Sequence, residues 1–157
     1  MTTIYNANTE QVGGWKSIQI GSISEITNCP SIITNDNVWK LVVIPIEDGI
    51  DFSPVGESIR ISSDGNLTDS GMEYAINASF EIALQDTDID TYLESFNFKD
   101  VFFIAEKHFG QKRFYGSKKF PLALSYQFLD GTTLEEGSKL RVSISGKIPQ
   151  KPVFISN

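Results

Sequence analysis

Through Tyr74–Leu84 the even positions are apolar and the odd ones small or polar. A period of two is the mark of a strand with one buried face. The same alternation runs through Leu122, Leu124, Tyr126 and Phe128, and through Leu140, Val142 and Ile144. Earlier candidates are Lys16–Ile26, with Gly21 as a bulge position, and Glu57–Ser62. Val38–Ile46 and Val101–Ala105 are apolar nearly throughout and predict central strands buried on both faces. Pro45 places the end of the first of these at an edge or bulge.

One segment follows a different period. Ile89, Tyr92, Leu93 and Phe96 recur at i, i+3, i+4 and i+7, which predicts a helix over 88–97. Thr87 or Asp88 can cap it, and Asp88 and Asp90 sit where the helix dipole favours negative charge. Turn residues mark loops at Asp64-Gly65-Asn66, His108–Gln111 and Asp130-Gly131, the second closing a hairpin between Val101–Lys107 and Lys112–Gly116. The fold class is therefore mainly β, a β-sandwich or partly closed barrel with one flanking α-helix. Residues 1–14 are polar, contain Gly13-Gly14 and read as an N-terminal arm, with 15–157 as a single domain.

At 157 residues the chain is long enough for one real core. No apolar run approaches the roughly 18 residues that cross a bilayer, and the N-terminus lacks the basic start and apolar stretch of a signal peptide. The expectation is a protein without membrane contact. Cys29 is the lone cysteine, which excludes an intramolecular disulfide or a multi-cysteine zinc site. The net charge of −7 argues against a domain that grips nucleic acid over its whole surface, since phosphate neutralisation supplies most of that affinity. It suits a surface that DNA passes without sticking.

Catalytic signatures are sparse. His108 is the one histidine and falls at a turn, where a solvent-exposed role outweighs a general base. Cys29 precedes Pro30 with nothing to activate its thiolate. Phosphate-loop, dinucleotide, zincin and nucleophile-elbow patterns do not occur, and Gly110 and Gly116 flank a strand rather than open a helix. Asp86, Asp88 and Asp90 match the first ligand positions of a calcium loop. Thr91 then stands where glycine is required and Asn97 where glutamate is, so a helix start is the better account. No catalytic residue, cofactor or metal site is assigned. Glu135-Glu136 reads as a solvated turn, and the sequons at Asn66 and Asn77 carry little weight without a secretory signal.

The charge that remains is segregated. Lys107, Lys112, Arg113, Lys118 and Lys119 form a basic stretch without acids, whereas Asp86, Asp88, Asp90 and Glu94 lie in a segment without bases. In Lys107–Tyr115 the bases interleave with aromatics. That pattern fits a hairpin with rings inside and bases outside, a stacking platform for single-stranded nucleic acid, or a face that meets acids on a neighbouring subunit.

The second half of the chain resembles a known class. Val101–Ile104, Arg113–Gly116 and Pro121–Tyr126 are followed by a glycine-containing turn, Leu140–Gly146 and a closing Pro152–Ile155. This pattern, over about residues 100–155, resembles small virion structural proteins of tailed phages and prophages of Bacteroidetes-type hosts. Phe109-Gly110 stands where that class usually has Asp/Asn-Gly. The resemblance implies a non-enzymatic tail-tube or head–tail connector subunit, assembled in the host cytoplasm into the virion. Its partners would be copies of itself in a ring (a hexamer or higher), other virion proteins, and DNA passing through the channel without tight binding. The basic and acidic segments would then be the two sides of the subunit contact. The alternative is a carbohydrate- or peptide-binding β-sandwich module using Trp15 and Trp39 as exposed platforms, with a hydrolase of unknown type as a third and weaker reading.

Overall fold

The structure, a computed structural model, describes residues 14–40, 42–43, 54–55, 57–83, 87–108, 110–132 and 137–155. The expected arm over 1–14, apart from Gly14, lies outside the described residues. The described chain is mainly β with a single α-helix, and its main sheet curls into a half-barrel. The strands are β1 (Trp15–Ser22), β2 (Ile26–Asn28), β3 (Val42–Val43), β4 (Arg60–Thr68), β5 (Gly71–Ile82), β6 (Asp100–Lys107), β7 (Lys112–Tyr115), β8 (Leu122–Leu129), β9 (Lys139–Ile148) and β10 (Val153–Ile155). The helix, α1, is Thr87–Glu94. Of the two expected architectures, the partly closed barrel describes this sheet.

Its strands follow the order β10-β7-β6-β8-β9-β5-β4, with every pair antiparallel, and β1 lies along the other edge of β6. β6 is the junction. One edge takes β1 from Val101 to Lys107, while the other is shared: Asp100 and Val101 pair with β8, and Phe103 to Glu106 pair with β7. Between Tyr115 and Leu122 the chain leaves the sheet through Gly116, whose φ of +94° few other residues adopt. Buried Ser117 holds this detour, its Oγ accepting from the Phe120 amide while its own N–H donates to the Phe120 carbonyl.

The period-two reading holds for β5 and β9, but in β8 it fades from buried Leu122 through half-buried Leu124 and Tyr126 to exposed Phe128, and Leu84 lies outside the described residues. Ile76, Ala78, Phe80 and Ile82 of β5 and Leu140, Val142, Ile144 and Ile148 of β9 enter one large core with Leu122 of β8. α1 closes that core with Leu93, with Ile89 and Tyr92 packing at its margin as the helical spacing required. The helix ends at Glu94, short of the expected 97, and Phe96 enters the core from the turn that follows. β6 is buried on both faces: Val101, Phe103 and Ala105 enter the large core, and Phe102 enters a second one with Ile26, Ile33, Phe114 and Val153. The expected hairpin at His108–Gln111 also forms, with the Lys107 amide donating to the Gln111 carbonyl and Gly110 at φ +90°.

Several expectations are corrected. Lys16–Ile26 is not one strand. Ser22 and Glu25 form a reciprocal capping box that turns the chain into a 3₁₀ turn, Ile23–Glu25, before β2. Gly21 is no bulge. The register slips between Trp15 and Ser17 instead, and the Phe102 ring occupies the space where a Gly21 side chain would begin. Val38–Lys40 is a 3₁₀ turn, because Asn37 Oδ1 accepts from the Thr34 amide and the Val38 amide returns to the Thr34 carbonyl. Of the rest of Val38–Ile46, Val42–Val43 form β3, and Pro45 lies outside the described residues. Asp64-Gly65-Asn66 is strand rather than turn, since β4 pairs with β5 without interruption as far as Thr68 opposite Gly71. The Tyr74 ring lies beside Gly65, where an added Cβ would stand 3.0 Å from its Cε1, although Gly65 itself is exposed.

Candidate subunit-contact surface

Lys107, Lys112 and Arg113 lie toward one end of β6 and the acids of α1 toward the other. Lys118 and Lys119 sit on the detour between Tyr115, opposite Phe103, and Leu122, opposite Val101, and so toward the acidic end. Lys107 closes the strand at the hairpin, and α1 precedes Asp100 at the other end, where β8 joins. Seven residue steps of extended chain separate these ends by roughly 23 Å.

The five bases are not equivalent. Lys107 Nζ lies 5.5 Å from the centre of the Trp15 ring, the Arg113 guanidinium 4.5 Å from Phe154, and Lys119 Nζ 5.7 Å from Phe120. These three charges rest on rings of their own chain. Trp15 in turn packs edge-on against Tyr115, with ring centres 6.5 Å apart, and Tyr115 stacks on Phe103 at 4.4 Å. Burial raises the Tyr115 hydroxyl pKa against the opposing pull of Arg113. Lys107, Arg113 and Tyr115 thus take part in ring contacts across β1, β6, β7 and β10, Phe114 stacks on Phe102 in the second core, and Phe109 lies outside the described residues. Lys112 stands opposite Glu106 in the β6–β7 register, and Lys118 is exposed on the detour before β8.

On the acidic side, Asp88, Asp90 and Glu94 lie on α1, and Asp86 is outside the described residues. The Tyr126 hydroxyl of β8 faces this helix. Desolvation raises its pKa, and the carboxylates of Asp90 and Glu94 raise it further. The helix charge is therefore turned partly toward the sheet.

Other candidates resolve more simply. His108 is exposed at the hairpin, its ring against Gly14. Cys29 packs at the margin of the second core, with Sγ 3.4 Å from the Pro30 carbonyl. Trp15 is not an exposed platform, because it packs against the large core. Trp39 is 75% exposed, its Nε1 donating to the Asp36 carbonyl and Lys40 Nζ lying 5.3 Å from its ring. Among the described residues no group of three His, Cys, Asp or Glu side chains could hold a metal ion. Nor is any described helix long and apolar enough to cross a membrane.

Two features are not singled out by sequence reasoning. Phe98 is fully exposed with φ +61°, a left-handed conformation that bulky residues avoid. Nothing in the local pattern marks it, because aromatic content alone predicts burial. The outer face of the sheet carries rows of small polar residues, with Asn77 opposite Ser145 and Ser79 opposite Ser143. Their alternation with core residues was the available signal. A comparison with protein families, with curated proteins and with solved structures found no match to this chain.

Proposed function

We propose that this chain is a non-enzymatic structural subunit that joins copies of itself into a ring, as in the tail tube or head–tail connector of a phage particle. The observation that carries the reading is that Lys107, Lys112 and Arg113 lie toward one end of β6 and the acids of α1 toward the other. A head-to-tail ring needs two unlike patches on each subunit, and this arrangement supplies them. The strand and turn pattern of residues 100–155, on which the likeness to virion proteins rests, supports the same reading. Its net charge of −7 suits a wall that DNA passes without adhering. Lys107, Arg113 and Lys119 rest on their own aromatic rings, so Lys112, at the basic end, is the base best placed to meet a neighbour's acids, with Lys118, exposed on the detour, as the other base outside those ring contacts. Exposed pairs contribute about 0–1 kcal/mol each, so they set orientation while apolar contacts hold the ring.

Sedimentation velocity tests this. Lys112→Glu with Lys118→Glu weakens association, and adding Asp90→Lys with Glu94→Lys to the same chain restores it. A double variant that assembles like wild type removes the reading. The exposure of Trp39 favours a second one, a carbohydrate- or peptide-binding module. Quenching of Trp39 fluorescence by a glycan or peptide, in a chain that never self-associates, would select it.

A further inference from the structure

β4 is the terminal strand of the main sheet, and among the described residues nothing pairs with its outer edge. Its register with β5 runs unbroken from Arg60 opposite Ser79 to Thr68 opposite Gly71. The strand, RISSDGNLT, contains no proline, no lysine and no bulge, and every residue but Ile61 is exposed. Natural sheets blunt their open edges with such devices, because a bare row of backbone N–H and C=O groups is a template for another strand. An extended strand is the partner that satisfies the row along its whole length.

Charge selects which strand. Arg60 and Asp64 are the only charged residues of β4, and their even spacing puts both on the same face of the sheet. Neither forms an ion pair with any described residue. We propose that β4 pairs antiparallel with β4 of a second copy about a two-fold axis at Ser62. In that register Arg60 lies opposite Asp64 of the second copy, Asp64 lies opposite its Arg60, and Ile61 lies opposite its Ser63. The other centres between 60 and 64 fail. Centring on Asp64 or on Arg60 opposes like charges, which is destabilising, and centring on Ile61 or Ser63 leaves both charges opposite neutral residues. The sequence of the strand is thus complementary to itself in one register. The join is isologous, whereas a ring contact is head-to-tail, so it does not rest on the ring reading.

Sedimentation velocity on Arg60→Glu, on Asp64→Arg and on their equimolar mixture tests the pairing. It is run in the otherwise native chain and again with Lys112→Glu and Lys118→Glu, so that edge and ring contacts are scored apart. Each single variant sets like charges opposite each other at both ends of the pairing and weakens dimerisation by roughly tenfold or more. The mixture dimerises as wild type does, because Glu at 60 in one copy then meets Arg at 64 in the other, and the remaining Asp64 meets the remaining Arg60. Misfolded chains cannot produce that rescue. A wild-type chain lacking the edge dimer, single variants that pair as wild type does, or a mixture that stays monomeric would each overturn the proposal.

Discussion

Replacing Gly21 by alanine isolates one close contact of the fold. Gly21 lies opposite Phe102 in the β1–β6 register. A Cβ there would stand 2.4 Å from Phe102 Cζ, 2.6 Å from its Cε1 and 2.8 Å from Glu25 Oε2. The ring cannot easily retreat: Phe102 is 3% exposed and stacks on Phe114 with ring centres 5.3 Å apart. Glu25 is also held, since its Oε1 accepts from the Ser22 amide in the capping box. Relief therefore requires a shift of more than an ångström in a packed core, and overpacking of this kind costs about 1–3 kcal/mol. Loss of glycine's freedom in the unfolded chain returns about 0.4–1 kcal/mol. The net destabilisation is about 1–2 kcal/mol, or a Tm lower by roughly 2–8 °C for a domain of this size. Urea unfolding followed by circular dichroism measures it as a lower midpoint at unchanged slope. The decisive measurement is a double-mutant cycle with Phe102→Leu, which removes the end of the ring. In that background Gly21→Ala should cost less than about 0.5 kcal/mol, the difference being the interaction energy of the contact. Equal costs in the two backgrounds would refute the steric argument, as would a neutral single variant.

Phe80 is 1% exposed on β5. Phe80→Ala should cost about 3–5 kcal/mol in chemical denaturation, from lost apolar burial together with the cavity left behind. Phe98 combines full exposure with a φ of +61°, so Phe98→Gly should raise stability by about 1 kcal/mol in the same assay. Glu81 accepts from Arg141 at 2.7 Å and lies 3.5 Å from Lys139, and the Arg141 hydrogen bond foremost holds its pKa below the ordinary glutamate value. A carboxylate with a depressed native pKa stabilises the fold above its unfolded pKa, about 4.3, and loses that contribution as the pH falls through the native value. The charges are partly exposed, so Glu81→Gln should cost no more than about 1 kcal/mol at pH 7, and in pH-dependent urea unfolding the difference from wild type should shrink as the pH falls below the unfolded value and vanish once the native carboxyl is protonated.

Local chemistry determined much of this protein before any contact was known. The alternation in Tyr74–Leu84 marks which side chains of β5 enter the core, because successive residues of a strand face opposite ways. The doubly apolar run at Val101–Ala105 identifies β6 as the central strand, and the 3.6-residue spacing from Ile89 to Phe96 places α1 and its buried face. Those signals depend only on period and face. Pairing depends on residues distant in the chain, and there the sequence alone misdirects. Asp64-Gly65-Asn66 has the composition of a turn, but nine successive pairs with β5, and the Tyr74 ring beside Gly65, draw it into β4. The apolar run at Val38 is diverted by the hydrogen bonds of Asn37, which the hydrophobic pattern does not weigh. The bases of 107–119 read as one surface patch, yet Lys107 meets Trp15 of β1 and Arg113 meets Phe154 of β10, each from a remote part of the chain. Which charges stay free, and which strand edge stays open, are properties of the assembled sheet. Both follow from non-local pairing, which brings together residues whose separation along the chain carries no periodic signal.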